Sequence, residues 1–249
     1  MKRPLAASAL ALGLGFAAPA MAFDITSMNE AERDAFRKEV RSFLMENPEI
    51  IIEAVNTLEA REAEQAAMDD RTMVEVNAKA LFDDGYSWVG GNPEGDVTLV
   101  EFLDYRCGYC KKAHSEVAEL LQTDGNIKWI VKELPILGDA SVLASRFAVA
   151  VKQVAGDESY KAVGDALMSF QGDITLPALR RLGSTFGLDM DAVEARMNSE
   201  EVTSEIARTR ALAGLLNISG TPTFVMHDEL LRGYLPLDQM QAIVAEKRG

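Results

Sequence analysis

The sequence predicts an α/β fold that carries an all-helical insertion and is preceded by a helical extension. Three observations predict it. From Val97 onward the chain holds four β-rich apolar runs, "VTLVEFLD", "IKWIVKEL", "TPTFVMH" and "LLRGYL". Between the second and third runs, residues from about 139 to 216 keep a helical pattern. Ahead of the first run, residues 27 to 82 show helical periodicity and no strand pattern.

The elements follow in order. Residues 1–22, "MKRPLAASALALGLGFAAPAMA", have the parts of a secretory signal: basic Lys2 and Arg3, an apolar middle from Leu5 to Phe16, and a small-x-small site at Ala20-Met21-Ala22. Cleavage after Ala22 is expected, and with it export to an oxidising compartment, the periplasm. The apolar stretch is short for a membrane span, which disfavours an uncleaved anchor. Ser27 with Glu30 reads as a capping box. Phe36, Val40, Phe43 and Leu44 then share one helix face, until Asn47-Pro48 ends that helix and opens another, with Asn47 as its cap. Ile51, Val55 and Leu58 continue the apolar stripe, and the polar run from Glu59 to Arg71 carries the helix on as a solvated spacer. A stripe this narrow cannot form its own core and must be buried either on the domain that follows or on the same stripe of another copy; the solvated spacer favours the second, so a homo-oligomer through residues 27–70 is expected. The segment "DDGYSWVGGNPEGD" breaks the helical pattern, and residues 86–249 are read as the second domain after an extension of 23–85.

"VTLVEFLD" is nearly continuously apolar, as a strand buried on both faces should be. A helix is expected from about Cys107 to Gln122, then a second strand ended by Pro135. The insertion has breaks at Gly156-Asp157, Gly172-Asp173 and Gly187. The last two runs form a hairpin around Asp228-Glu229, and a helix beginning near Pro236 closes the chain.

The formal net charge of −14 becomes −16 once Lys2 and Arg3 leave with the signal. Such a chain repels phosphate backbones, so nucleic acid is not an expected partner. The two cysteines, Cys107 and Cys110, form one C-x-x-C at a strand-to-helix boundary. A disulfide closing so small a loop restrains little of the unfolded chain, so it is there to be made and broken. Half a zinc site has the same spacing, but no second C-x-x-C exists and only His114 and His227 could complete four ligands. Redox chemistry without a cofactor is the expectation. The competing reading is a copper- or metal-handling thiol protein that uses the two thiols with His114, four residues past Cys110; otherwise His114 is a surface residue.

With the insertion removed, the order is β-α-β followed by β-β-α, a thioredoxin-like core. "EFLDYRCGYC", "KELPILG" and "SGTPTFVM", in this order, resemble the DsbA family of periplasmic thiol:disulfide oxidoreductases. The helical extension and the Cys-Gly-Tyr-Cys motif resemble its ScsC-type members. The resemblance implies an enzyme that forms or isomerises disulfides in exported proteins, served by a membrane redox partner.

Each site residue has a physical reading beside that resemblance. Cys107, at a helix N-terminus, meets unpaired N–H groups and the positive end of the helix dipole, which favour a thiolate nucleophile. Cys110, one turn on, would resolve the mixed disulfide. Glu101 shares a strand face with Val97, Leu99 and Leu103. Either it faces water at a sheet edge, or it lies buried beneath Cys110 and relays a proton when that thiol ionises. Family members carry an acidic residue at this offset, which favours the second. Lys132 on the neighbouring strand is a candidate partner for Glu101, or else a solvated strand-end lysine. The resemblance implies a cis Thr221-Pro222 bond packed against the cysteines, leaving the Thr221 backbone free to pair with an extended peptide. Gly108 and Tyr109, between the cysteines, are read as tuning redox poise and touching substrate. Strongly oxidising members often carry histidine there, and this chain does not.

Overall fold

The computed structural model describes residues 25–249, so the expected signal and its cleavage after Ala22 lie outside the described residues. The described chain divides into two compact units, one ending at Glu59 and one running from Ala60 to Gly249.

The first unit is helical. Helix α1 (Glu30–Glu46) is capped by Asn29, two residues later than Ser27. Asn29 Oδ1 accepts the Glu32 N–H at 3.0 Å and Glu32 Oε2 accepts the Asn29 N–H at 2.9 Å, a reciprocal box for which asparagine serves as well as serine. Asn47 closes α1 rather than opening the next helix with its side chain. Helix α2 (Glu49–Val76) starts just past Pro48, whose carbonyl accepts the Ile51 N–H. Phe36, Val40, Phe43, Ile51, Val55 and Leu58 are each 41–56 % exposed, so the helices of this unit do not cover their own apolar stripe.

The second unit begins within α2, earlier than the division expected near residue 85, because Val74 and Leu81 (helix α3, Ala78–Phe82) are buried in a core cluster with the sheet. The Arg232 guanidinium grips Asp70 of α2 as well. The sheet has the order β1-β3-β2-β4-β5. Strands β2 (Val97–Leu103) and β3 (Ile127–Glu133) are parallel, and β4 (Thr223–Met226) runs antiparallel to β2 on its other side. Strand β5 (Glu229–Arg232) completes the hairpin, turning at His227-Asp228, one residue before the expected place. Strand β1 (Trp88–Gly91), antiparallel to β3, lies in the segment read as a break. Four residues with two glycines carry no alternation to detect. Its Trp88 packs edge-on against Trp129 with ring centroids 5.2 Å apart.

Period 2 sends alternate residues of β2 to two separate cores. Leu99 and Leu103 join the cluster beneath α4 (Gly108–Asp124), while Val100 and Phe102 join the one that holds Val74 and Leu81. Gly125, at φ 74°, ends α4 in the left-handed conformation that only glycine adopts without steric cost. The insertion forms α5 (Asp139–Ser169), α6 (Leu176–Thr185), α7 (Met190–Met197) and α8 (Glu200–Leu215). All three expected glycine breaks occur, Gly156 as a kink within α5. A fourth falls at Asn198-Ser199, where Ser199 caps α8. Helix α9 (Leu237–Arg248) follows Pro236. No helix among the described residues is long and apolar enough to cross a membrane.

Lys132 is fully buried and its ammonium pairs with Asp84, itself 7 % exposed, and with the Ala80 carbonyl. Breaking such a pair strands a buried charge, so Asp84→Ala should cost about 3 kcal/mol in urea unfolding. Asp84→Ala combined with Lys132→Met should recover most of that loss, since the second change removes the stranded charge.

Candidate active site

The turn between β2 and α4 is held by an aspartate that sequence reasoning missed. Buried Asp104 accepts the Arg106 N–H on Oδ1 at 2.8 Å, an Asx-turn. Its Oδ2 accepts the Ile136 and Leu137 N–H groups at 2.9 and 3.1 Å, which staples the turn to the loop after β3. The Asp104 carbonyl accepts the Cys107 N–H at 3.0 Å. The only trace of this in the sequence is an aspartate at the end of a strand.

So held, Cys107 becomes the N-cap residue of α4, and its carbonyl accepts the Lys111 N–H. The residue is 8 % exposed, and its thiol donates to the Thr221 carbonyl at 3.1 Å. The Thr221-Pro222 bond is cis. Cys110, in the first turn of α4, is fully buried. Burial pushes its thiol well above the ordinary cysteine value, and the neighbouring Cys107 and Glu101 push the same way against the Asp104 backbone and the Thr221 hydroxyl. Both cysteines are free thiols. Cys107 is thus the less deeply buried of the two, and Cys110 is the one whose thiol burial holds back from ionising.

Glu101 faces the α4 side of the sheet and is fully buried, not at an edge facing water. Burial pushes its carboxyl up to about 7, against the pull of His114 and of the Trp129 indole N–H, which donates to Oε2 at 3.1 Å. Lys132 does not partner it. In the ladder Glu101 stands beside Val131 and Phe102 beside Lys132, so the lysine points to the opposite face. It is buried there with Asp84 and is not a solvated strand end. A second buried acid, Glu133, was also missed. It accepts hydrogen bonds from the hydroxyls of Tyr105, Tyr160 and Ser145, each at 2.7 Å, and burial raises it too to about 7. "KEL" at the end of a strand gives no hint that the glutamate points inward.

The structure thus brings Cys107, Cys110, Glu101 and Thr221-Pro222 together and leaves Lys132 out. Gly108 is exposed, with open space where a Cβ would stand. Tyr109 is 63 % exposed and tilts against Tyr234 with centroids 6.0 Å apart. His114 is not a surface residue. Its side chain is 18 % exposed and its Nε2 lies 2.9 Å from Asp165 Oδ1. Among the described residues no three His, Cys, Asp or Glu side chains converge as a metal ion would need.

The DSBA-like thioredoxin domain model matches residues 98–245, more than half of the chain. The chain belongs to that family. The model of the copper resistance protein ScsC N-terminal domain matches residues 32–65. Among solved structures of DSBA-like architecture, a thioredoxin-like oxidoreductase from Silicibacter pomeroyi is 40 % identical, with a TM-score of 0.65 over 68 % of this chain and 96 % of that one. ScsC of Proteus mirabilis is 25 % identical, with a TM-score of 0.65 over 88 % of this chain and 98 % of that one. A curated relative, Na(+)/H(+) antiporter NhaA 3 of Salinispora tropica, is 29 % identical over 63 % of this chain, which spans only 24 % of that relative's length.

The raised carboxyl of Glu101 ties stability to pH. The folded state holds a proton that the unfolded chain has begun to lose at about 4.5, so its contribution is complete below that pH and is lost as pH rises to about 7. Glu101→Gln cannot ionise. The stability of the glutamine variant relative to the parent should therefore rise by roughly 2–3 kcal/mol between those pH values, read from urea unfolding across the range.

Proposed function

We propose that this protein is a periplasmic thiol:disulfide oxidoreductase that forms or isomerises disulfides in exported proteins. One observation carries the reading: a C-x-x-C in which Cys107 is a helix N-cap residue and Cys110 is a buried thiol with a raised titration beside a buried carboxylate. In the reducing direction, the Cys107 thiolate attacks a substrate disulfide and forms a mixed disulfide with one substrate sulfur, while the other leaves as a thiolate. Glu101 takes the Cys110 proton, and the Cys110 thiolate attacks the Cys107 sulfur. The Cys107–Cys110 bond forms as the second substrate sulfur leaves as a thiolate; the reverse sequence, begun by a substrate thiolate attacking Cys107 of the enzyme disulfide, forms the disulfide in the substrate. A membrane redox partner would reset the pair. Exposed Tyr109, Ile136 and Leu137 near the Asp104-bound turn offer an apolar surface for an unfolded peptide.

The test is the fate of each cysteine. Cys107→Ser should abolish turnover of a disulfide substrate, and Cys110→Ser should accumulate mixed disulfides with substrate proteins on non-reducing gels. Trapping by the Cys107 variant instead would reverse the roles.

The isomerase branch needs two active sites around one substrate, and the uncovered stripe of α1 and α2 supports it. A closed symmetric oligomer would bury Phe36, Val40, Phe43, Ile51, Val55 and Leu58. Light scattering on the mature chain should give a multiple of the protomer mass. Removal of residues 23–59 should give a monomer that still reduces small disulfides yet refolds scrambled ribonuclease poorly. A monomeric mature chain would remove the isomerase branch.

A further inference from the structure

Resolution by Cys110 leaves a proton on a carboxyl that has no direct way out. Glu101 is fully buried; its Oε2 holds the Trp129 indole, and its Oε1 is buried with no partner among the described residues. The usual candidate, Lys132, is on the other face of the sheet. Glu133 is no acceptor either, since three hydroxyls already occupy its oxygens.

His114 has the complementary arrangement. It projects from the face of α4 that packs on the sheet, its ring 6.5 Å from that of Trp129, and its positive form favours an ionised Glu101. Its Nδ1 is buried without a partner among the described residues, while its Nε2 donates to Asp165. Asp165 on α5 is 43 % exposed, and Lys161 holds its two oxygens at 2.7 and 2.6 Å. A small cavity of about 20 Å³ lies beside His114 and Asp165, lined also by the apolar Leu103, Val131 and Met168. So an inner atom lacking a partner faces the protein and an outer atom is tied to a carboxylate that meets solvent.

We propose that His114 is the proton outlet of the active site: a proton taken by Glu101 passes to His114 Nδ1 through a bridging water and leaves from Nε2 by way of Asp165. The proposal rests on the reading of Glu101 as the base for Cys110. The proton balance is simple. Cys110 loses its proton to Glu101, Glu101 gives it to Nδ1, and the Nε2 proton departs, which leaves the imidazole neutral with its proton on Nδ1; the reverse half-reaction, in which Cys110 regains a proton, resets the tautomer. The groups that face His114 are Glu101 from β2, Tyr105 from the turn after it, and Tyr160, Lys161 and Asp165 from α5. The two tyrosines are held well above their ordinary value by burial and by Glu133, so they do not exchange protons in the working range. His114 acts through Glu101 and is a positioning and relay residue, not one that touches substrate.

The experiment is a rapid mix of the reduced full mature chain with oxidised glutathione, in which the second phase reports attack of Cys110 on the mixed disulfide. His114→Gln should slow that phase about tenfold or more near neutral pH, the scale of a lost acid–base group. The gap should narrow as pH rises, because solvent base can then ionise Cys110, and added imidazole should restore part of the rate. Asp165→Asn, at a half-exposed position that a folded chain tolerates, should slow the same phase less and with the same pH trend. Wild-type rates in both variants while Glu101→Gln is slow would overturn the outlet and leave the Glu101 reading intact. A uniform slowing at every pH without imidazole rescue would overturn it as well, since that is a packing effect. A wild-type rate in Glu101→Gln would remove the Glu101 reading itself, and the outlet with it.

Discussion

The catalytic unit depends on how β2 is paired. Its seven-residue ladder to β3 and its antiparallel ladder to β4 fix which side chains of "VTLVEFL" face α4. They place Glu101 under that helix and Phe102 on the other side. The β4 ladder also brings Thr221, two residues ahead of Thr223, to the N-terminus of α4, where its carbonyl meets Cys107. A one-residue slip would turn Glu101 to the second core, bring Phe102 under Cys110 and unmake the site. The apolar alternation on both faces makes such a slip costly, because two separate cores would lose their contacts together.

Two buried acids share that neighbourhood and are treated differently. Glu133 is satisfied by three hydroxyl donors, and its ring of Tyr105, Tyr160 and Ser145 ties β3 to α5 and to the turn before α4. Glu101 has one indole donor and one oxygen with no partner. Burial nevertheless raises both carboxyls to about 7. The two acids thus differ in their donors and not in their burial.

The core order, the C-x-x-C and the inward Glu101 were legible because each follows from a local rule: apolar runs, a motif at a strand-to-helix boundary, and period 2 on a buried strand. Period 2 also determines the face of Lys132, yet sequence alone could not supply its partner, because Asp84 lies 48 residues earlier in the chain. Asp104 and Glu133 were illegible for the same reason, since their donors come from Ile136, Leu137, Tyr160 and Ser145 across the fold. Strand β1 was hidden by its glycines, and its pairing with β3 is imposed by the sheet rather than by its own pattern. The capping box moved by two residues because "SMNEAE" offers two overlapping boxes and the helix used the later one.

The chain has two tryptophans, and both lie in this unit, packed edge to face. One of them, Trp129, hands its indole N–H to Glu101. The protein therefore contains its own optical gauge: ionisation of that carboxyl changes the charge beside the indole, and with it the colour and yield of the emission. The protonation state of a group sealed from solvent can be followed by light alone, in the unlabelled molecule, while the cysteines above it turn over.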